Sequence, residues 1–341
     1  MIKSNKVYVI AEAGINHNGS IKNAIKMIDK AKKAGADCIK FQAFNINNLL
    51  SPIAKTARYQ KSQTGESLQR NILKGLNLSK KDFRIIFKEC KNKEIDFLCT
   101  AFDKDWLKYL ISLGMSSIKI PSGEITNFPY LKLVAQTQKP IILSTGMSKM
   151  IEIQKAIAQI KMYNESANIS ILHCTSLYPA PVDTLNLSAI ETISKKFKLT
   201  VGYSDHSIGN LASITAIAMG ARIIEKHFTL DKNYSGPDHM ASVTYKELKL
   251  LIKEIRTLES AIGNGKKEPH LLEIDTLNVA RRSWHARRNI RKGDIINKDD
   301  IILLRPGFGI SGDKVLVGKK SKKNIKKGEL IRKQSINNEK I

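Results

Sequence analysis

Two histidines at matching positions give the strongest chemical signal in the sequence. His206 stands at the end of the run VGYSDHS and His227 near the end of IIEKHFT, and both runs have the composition of buried strands. If the two strands are neighbours about 4.8 Å apart, their imidazoles can bind one metal ion. A single histidine is more often a hydrogen-bonded polar residue, but Asp205 and Glu225 beside this pair favour a metal. Two protein ligands would leave coordination positions open for substrate oxygens.

Two lysines also lie in apolar runs. Lys40 and Gln42 stand in IKFQAF, and Lys119 precedes Ser122 and Glu124 in IKIPSGEITN. Burying a lysine is costly unless an anion pairs with it, so this pattern predicts an anionic ligand such as a phosphate. Glu124 is then placed to act as a general acid or base. The alternatives are an edge lysine whose ammonium reaches water and a tight turn that binds nothing.

Further polar residues follow other apolar runs. Glu12 opens EAGINHNG, Ser144 stands in STGM, Ser176 and Tyr178 stand in LHCTSLYPAP, and Asp238 stands in GPDH. Hydroxyl groups at consecutive strand ends suit the oxygens of a phosphate or a sugar. None of these motifs is specific by itself, and EAGINHNG also fits a plain strand-to-helix turn.

These residues need a scaffold that brings strand ends together. Eight short apolar runs alternate with amphipathic helical stretches as far as about residue 262, from KVYVIAEA to ARIIEKHF. This alternation indicates βαβ units and a parallel sheet, and eight units favour a closed (β/α)8 TIM barrel in the α/β class. Barrel enzymes carry their active sites at the carboxyl ends of the strands, where these polar residues stand. The long polar segment 45–78 predicts an active-site loop with a helix.

The pattern changes after the barrel. GNGKKEPH, at 263–270, is typical of a linker, and the sequences NIRKGDII (289–296) and NIKKGELI (324–331) repeat at a spacing of 35 residues. Short strands around such turns predict a small all-β module. The predicted organisation is a catalytic barrel at 1–266, a linker at 267–279 and the all-β module at 280–341.

The composition limits the function classes. The chain has 341 residues and a net charge of +26, and its hydrophobic content of 42% excludes wholesale disorder. It contains no run of about 18 apolar residues, so we expect neither a membrane span nor membrane binding. The start has no long apolar region, so no secretory signal is expected. Four scattered cysteines fit a reducing compartment, and we expect a cytoplasmic protein.

The positive charge suggests a second function class, a basic nucleic-acid-binding protein. The charge is densest at the end of the chain, where residues 280–341 hold 18 Lys and Arg against 6 Asp and Glu. Nucleic-acid binding predicts basic residues interleaved with aromatics, whereas aromatics make up only 6% of this chain. This hypothesis also leaves the histidine pair unexplained. An enzyme with an anionic substrate is therefore favoured, and no nucleic-acid partner is expected.

The ordered motifs as a set resemble a known family. The set EAGINHNG, KFQ, IPSGEITN, STGM, LHCTSLYPAP, GYSDHS, EKHFTLDK and GPDH resembles the sialic acid synthase family over nearly the whole chain. The all-β module resembles the antifreeze-like (SAF, β-clip) domain of that family. The resemblance implies a metal-dependent transferase that condenses phosphoenolpyruvate with an open-chain N-acetylated amino sugar. Water attacks C2 of phosphoenolpyruvate, C3 attacks the aldehyde, and phosphate leaves by C–O cleavage, which gives a nine-carbon 2-keto acid.

The resemblance assigns residues to the metal and to both substrates. His206 and His227 match the ligands of a divalent metal, Mn²⁺ in the first place and Mg²⁺ or Co²⁺ as alternatives. Lys40, Lys119 and Glu124 match catalytic residues, and Glu124 would manage the proton of the attacking water. The phosphoenolpyruvate contacts that it implies are Lys40, Lys119, Ser122, Ser144, Ser176, Tyr178 and Ser204. The sugar contacts that it implies are Glu12, Gln42, Tyr178, Glu225, Asp238 and Arg305.

The resemblance also implies an assembly and a substrate. Arg305, in LLRPGFGI, matches an arginine that reaches the partner subunit's site, so a domain-swapped homodimer is implied. The first sugar implied is N-acetylmannosamine, which gives N-acetylneuraminate. The alternative is 2,4-diacetamido-2,4,6-trideoxymannose, which gives N,N'-diacetyllegionaminate, and the motifs do not decide between the two. The chain departs from the family pattern at Ser176, where some members have Asn, and at Trp284 and His285, where the strand is usually plainer.

Overall fold

The eight apolar runs are eight strands of one parallel sheet, which confirms the predicted barrel class. The structure is a computed structural model that describes residues 6–337. The strand order in the sheet is β3-β2-β1-β8-β7-β6-β5-β4. The first strand, β1, therefore pairs with the last strand, β8, and the barrel is nearly closed. The strands are β1 (Tyr8–Gly14), β2 (Cys38–Ala43), β3 (Asp96–Ala101), β4 (Ile118–Ile120), β5 (Ile141–Ser144), β6 (Ile169–Cys174), β7 (Thr200–Asp205) and β8 (Ile223–His227).

Helices alternate with these strands and bury their apolar faces in the same core. The first helix follows its sequence signals, because the Ser20 side chain accepts a hydrogen bond from the Asn23 N–H and the left-handed Gly35 (φ 93°) ends the helix. No helix among residues 6–337 is both long and apolar enough to cross a membrane. The helices are α1 (Ile21–Ala34), α2 (Ile46–Leu49), α3 (Arg58–Thr64), α4 (Gln69–Leu73), α5 (Lys80–Asn92), α6 (Lys104–Leu113), α7 (Phe128–Ala135), α8 (Met150–Tyr163), α9 (Ala189–Phe197), α10 (Leu211–Ala218) and α11 (Tyr245–Ile262).

Burial on both faces explains why the strands appear in the sequence as unbroken apolar runs. Every residue of β8 is buried, including the charged Glu225 and Lys226 and the terminal His227. Side chains of successive strand residues point to opposite faces, so polar residues near the carboxyl ends reach either the barrel interior or the helix layer. Each of these groups therefore needs a partner inside the protein.

The long segment between β2 and β3 carries three short helices, α2, α3 and α4, ahead of α5. Two residues of α3 contact the segment that follows β6. The ring of Tyr59 lies 5.1 Å from the ring of Tyr178, and the Gln63 side-chain amide donates a hydrogen bond to the Tyr178 carbonyl at 3.2 Å. The segment thus covers Tyr178, as expected of an active-site loop that contains a helix.

The second compact unit begins at Asn264, directly after the first unit ends at Gly263. It contains α12 (Ile274–Ala280) and an antiparallel pair of strands, β9 (Ser283–Ala286) and β10 (Ile301–Leu304). The helix α12 overlaps the segment 267–279, for which the sequence predicted a linker. Trp284 and His285 both lie in β9, and the Trp284 indole donates a hydrogen bond to the Lys314 carbonyl at 2.9 Å.

The repeated sequences of this unit pair with each other. Ile290 and Ile325 exchange backbone hydrogen bonds of 2.9 and 2.8 Å in an antiparallel bridge. Asn324 accepts a bond from the Lys292 N–H, and Asn289 accepts the equivalent bond from the Lys327 N–H. The two copies are thus arranged with approximate twofold symmetry. Four apolar residues of the two copies, Ile290, Ile296, Ile325 and Ile331, belong to one small core with Ala286 and Leu316.

Close packing around Gly202 in β7 generates a stability prediction. A β-carbon at this position would lie 2.5 Å from the Ile223 carbonyl oxygen and 2.6 Å from a methyl carbon of Leu172. We expect Gly202→Ala to lower the free energy of unfolding by about 1–3 kcal/mol, since strands β6 and β8 must move apart. Urea unfolding of the full chain measures it. Gly123→Ala is the matched control, because its new methyl group meets no atom within 4 Å, and an equal loss in both variants would contradict the packing argument.

Candidate active site

A pocket at the carboxyl ends of the barrel strands brings most of the predicted site residues together. Strand register explains the grouping, because Glu12 in β1 pairs with Lys40 in β2 on one side and with His227 in β8 on the other. On the next ladder, Ser204 in β7 pairs with Glu225 in β8. The predicted residues that line the pocket are Glu12, Lys40, Gln42, Lys119, Ser122, Ser144, Tyr178, Ser204, His206, Glu225 and His227.

The two lysines of the pocket are buried and face two buried glutamates. The Lys40 ammonium lies 2.9 Å from Glu12 Oε2 and 3.6 Å from Glu225 Oε2. The Lys119 ammonium lies 3.5 Å from Glu225 Oε1 and donates to the Ser144 hydroxyl at 2.7 Å. Lys40 and Lys119 are each only 3% exposed, so neither is an edge lysine that reaches water. The four charges form one continuous cluster.

The charge cluster sets the protonation of its members. Burial alone would raise the pKa of Glu225, but Lys119 and Lys40 lower the pKa to about 2. Burial raises the pKa of Glu12, against the attraction of Lys40. Burial would lower the pKa of Lys40, but the two glutamates outweigh it and raise that pKa. Burial lowers the pKa of Lys119 in spite of Glu225. Glu225 is therefore the ionised partner between two lysines.

The two histidines meet at the wall of the pocket beside Tyr178. Their ring centroids lie 5.5 Å apart, and the Tyr178 ring stacks 4.1 Å from the His206 ring. Burial lowers the pKa of His206 to about 4. Burial also lowers the pKa of His227 well below its usual value, with a further contribution from His206. Both imidazoles are consequently neutral at pH 7, which is the state that binds metals.

The hydrogen bonds of the histidines fit a pair of metal ligands. His206 Nδ1 lies 2.6 Å from the Thr175 carbonyl oxygen, which makes Nδ1 the protonated nitrogen and leaves the lone pair on Nε2. His227 Nδ1 is buried and has no hydrogen-bond partner in the described part of the chain. Within residues 6–337 no group of three or more His, Cys, Asp or Glu is arranged to hold a metal. His206 and His227 are thus two side chains that could hold a metal here, and their role as metal ligands stays a prediction.

Four predicted residues do not line the pocket. Glu124 lies in a short 3-10 turn after β4, and its Oε2 accepts a hydrogen bond from the Asn127 amide at 2.6 Å. Ser176 is half-buried in the segment after β6. Asp238 is buried, and its Oδ2 lies 3.9 Å from His227 Nδ1. Burial and the nearby Glu12 raise the pKa of Asp238 to about 7. Arg305 is exposed in the second unit, directly after β10.

Three residues that the sequence reading did not select also line the pocket: Thr100, Phe102 and Pro121. Thr100 lies at the end of β3 opposite Gln42, and its hydroxyl is 3.4 Å from the Lys40 ammonium. The period of two in β3 could have identified Thr100, because the run FLCTAF ends at the same edge of the sheet as the runs that were considered.

The EAGINHNG segment holds the loop that carries Asp238. The Asn16 amide donates hydrogen bonds to the Phe228 carbonyl and to the Ser242 hydroxyl, both at 2.9 Å. The Ser242 hydroxyl donates in turn to the Asp238 carbonyl at 2.6 Å. Asn18 contacts the same loop, because its amide donates to the Ser235 carbonyl at 3.0 Å. The segment after β1 thus positions the segment after β8.

Gly19 fixes the other side of the EAGINHNG segment. Its φ is +70°, and a β-carbon here would lie 2.1 Å from the carbonyl oxygen of Gly75. Only glycine allows this close approach between the first loop and the segment before α5.

Comparison with known proteins identifies relatives over almost the full chain. An N,N'-diacetyllegionaminic acid synthase of Campylobacter jejuni is 44% identical and covers 96% of this chain and 99% of its own. The enzyme with the same name from Legionella pneumophila is 43% identical, with coverages of 95% and 93%. The solved structure of the N-acetylneuraminic acid (sialic acid) synthetase of Leptospira borgpetersenii is 36% identical and has a TM-score of 0.71, with coverages of 80% and 91%.

The domain matches agree with these relatives. The SAF domain matches residues 281–337, which confirms the antifreeze-like module. The NeuB family matches residues 27–267, most of the barrel. The expected resemblance to sialic acid synthases is thus confirmed. Because this match spans more than half of the chain and full-length relatives exceed 40% identity, the chain belongs to the NeuB family.

Proposed function

We propose that this enzyme is an N,N'-diacetyllegionaminate synthase, which condenses phosphoenolpyruvate with 2,4-diacetamido-2,4,6-trideoxymannose and releases phosphate. The observation that carries the proposal is a barrel pocket in which two buried lysines lie beside two neutral histidines. The choice of sugar rests on the two relatives of that name, which are 43% and 44% identical over almost their whole length. It replaces N-acetylmannosamine, the sugar that the family resemblance implied first.

Phosphoenolpyruvate is a small, strongly charged anion, and the pocket offers it complementary groups. Lys40 and Lys119 supply charge, and the hydroxyls of Ser122, Ser144 and Ser204 supply hydrogen bonds. Ser122 is held in place because its hydroxyl accepts a bond from the Gly146 N–H at 2.9 Å. Ser176 and Tyr178, on the segment after β6, complete the proposed set. Glu12 and Glu225 balance the lysine charges in this structure. In the proposed complex the carboxylate and phosphate of phosphoenolpyruvate take over contacts with the two lysines.

We propose His206 and His227 as the protein ligands of a divalent metal, Mn²⁺ in the first place. Neutral rings, the lone pair on His206 Nε2, which lies 3.3 Å from the Ser204 hydroxyl, and an unpartnered nitrogen on His227 support the assignment. When bound, such an ion polarises the sugar aldehyde as a Lewis acid. Tyr178 packs against both rings and limits their rotation, since its ring lies 4.1 Å from one and 5.5 Å from the other.

The remaining residues orient the sugar and move protons. Glu12, Gln42 and Glu225 line the pocket, and their side chains can form hydrogen bonds with the sugar hydroxyls. Asp238 lies next to His227, with its Oδ2 3.9 Å from His227 Nδ1. In the proposed reaction C3 of phosphoenolpyruvate forms a bond to the aldehyde carbon while water adds to C2. Glu124 takes one proton from the attacking water, and this proton is passed to the aldehyde oxygen, which becomes a hydroxyl group. Phosphate then leaves with its bridging oxygen and the second water proton, and C2 becomes a ketone.

Arg305 lies on the SAF domain, and we propose that it contacts the N-acetylated sugar in the site of a partner subunit. Its exposed guanidinium suits a hydrogen bond to an acetamido oxygen. The proposal implies a homodimer in which the domains are swapped. A cytoplasmic location stays a prediction from the cysteine pattern.

A second candidate is N-acetylneuraminate synthase, which uses N-acetylmannosamine in the same reaction. The similarity to the sialic acid synthetase of known structure favours it, at 36% identity. The two candidates share every proposed step at the reacting carbon atoms. They differ only in the sugar substituents at C4 and C6, so the substrate preference separates them.

A substrate panel tests the proposed function. Full-length enzyme is incubated with Mn²⁺, phosphoenolpyruvate and each sugar, and the nine-carbon acid is identified by mass while released phosphate is measured. We expect a higher kcat/KM for the diacetamido sugar. Activity should disappear with a chelator and return with Mn²⁺. A preference for N-acetylmannosamine would select the second candidate, and no phosphate release with any sugar would refute the synthase proposal.

Glu124→Gln tests the proton-transfer role. Loss of a general base lowers rates by about 100- to 10,000-fold, so kcat should fall by at least about 100-fold while Mn²⁺ binding is unchanged. Steady-state kinetics and a direct metal titration measure the two effects. Glu165→Gln, at an exposed loop position, is the matched control and should behave like wild type. Turnover by Glu124→Gln near the wild-type rate would remove Glu124 from the mechanism.

Arg305→Ala tests the contribution of the SAF domain. Removing a charged hydrogen-bond donor costs about 1.5–3 kcal/mol, so the KM for the sugar should rise by about tenfold or more. The KM for phosphoenolpyruvate should change much less. Arg291→Ala is the control, because Arg291 is exposed in the same domain. The opposite pattern, with phosphoenolpyruvate more affected than the sugar, would argue against the proposed contact.

A further inference from the structure

A second buried ion pair lies on the outer side of the two strands that carry the histidines. Asp205 is the last residue of β7 and Lys226 is its direct partner in β8. The Lys226 ammonium lies 2.7 Å from Asp205 Oδ2, and both side chains are 0% exposed. Each residue directly precedes one of the two histidines in the sequence. Since Ser204, His206, Glu225 and His227 line the pocket, the alternation of strand side chains turns this pair away from it.

Lys226 contacts both neighbours of His206. Besides Asp205, its ammonium donates a hydrogen bond to the Ser207 carbonyl at 2.9 Å. Asp205 Oδ1 accepts bonds from the Ser207 N–H and hydroxyl at 2.9 and 2.7 Å. Asp205 Oδ2 accepts a further bond from the Ser213 hydroxyl of α10 at 2.6 Å. The Lys226 side chain thus holds the residues on either side of His206, and Lys226 itself is the neighbour of His227 in the sequence.

The energetics of this pair point to a positioning role. Burying two ions carries a desolvation cost that their attraction seldom more than repays, and a well-packed apolar pair is often as stabilising. A directional pair, by contrast, fixes the relative position of two backbones. Here the backbones are those that present the imidazoles, whose planes meet at 62° with centroids 5.5 Å apart.

We infer that Asp205 and Lys226 are positioning residues that set the separation of the His206 and His227 rings for metal binding. The inference rests on the proposed function, in which these rings hold a divalent metal. It predicts that the metal affinity depends on a side-chain pair that contacts neither the metal nor a substrate. A role confined to fold stability would predict no change in the metal affinity of the folded protein.

The test measures Mn²⁺ binding directly on the full-length protein. Free Mn²⁺ is followed by its electron paramagnetic resonance signal during titration with MnCl₂, below the melting temperature of each variant. In Asp205→Asn/Lys226→Met, which removes both charges together, we expect the Mn²⁺ dissociation constant to rise by about 10- to 100-fold. The KM for phosphoenolpyruvate should change less, because Lys119 and Ser144 lie on β4 and β5.

Ser213→Ala is the second variant, and it removes only one hydrogen bond to Asp205. Because this change is small, we expect the variant to fold even if the double variant does not. It should weaken Mn²⁺ binding in the same direction and to a smaller extent. Arg256→Met is the stability control, because Arg256 bonds to Asp37 and to the carbonyl of Val7, the residue before β1. We expect that variant to melt at a lower temperature with unchanged Mn²⁺ affinity.

Each remaining outcome contradicts a specific claim. If wild type binds Mn²⁺ and both Asp205-directed variants bind it equally well, the positioning inference is wrong and the metal proposal stands. Equal weakening in Arg256→Met would also overturn the inference, because general destabilisation would then explain the effect. If wild type itself binds no Mn²⁺, or if His227→Ala binds it as well as wild type, the metal proposal fails and the inference fails with it.

Discussion

Each ionised side chain in the barrel mouth would cost several kcal/mol to bury alone, because the interior cannot replace its hydration. Glu12, Lys40, Glu225 and Lys119 reduce this cost, because their charges alternate in sign along one chain of contacts in that order. They come from four different strands, β1, β2, β8 and β4. The charges balance only when the barrel brings these strands together, so the electrostatics of the site and the barrel architecture depend on each other.

The charge cluster also acts on the histidines, although burial has the larger effect. Burial opposes protonation of both imidazoles, the lysine charges act in the same direction and Glu225 acts against them, and the rings remain neutral at pH 7. Neutral rings can donate lone pairs, and the Thr175 carbonyl determines which nitrogen of His206 does so. Burial therefore has two consequences here. It makes lysines and glutamates form pairs, and it gives the histidines the protonation state that a metal requires.

The barrel and most of its site could be predicted from the sequence, because strand period and strand ends are local properties. Lys40 and His206 stand out as polar residues in apolar runs, and the fold then brings them together. Contacts made across loops left no such local signal. The packing of Tyr59 on Tyr178 and the approach of Gly19 to Gly75 depend on the path of a segment whose composition is ordinary. Thr100 was not selected from the sequence for a different reason, because a threonine in a strand is too common to indicate a functional site.

The total charge of the chain gives little information about its chemistry. At physiological salt, charges in water are screened beyond about 8 Å, so lysines scattered over the outside act weakly on a ligand inside the barrel. Lys40 and Lys119 escape that screening because they are buried, and there a single charge has a much stronger effect. The same reasoning applies to Lys226, which faces away from the pocket and carries its charge between two strands. Side chains alternate between the two faces of β8. Glu225 and His227 therefore face the pocket, whereas Lys226 faces the other way and fixes the position of β8 relative to β7 through Asp205.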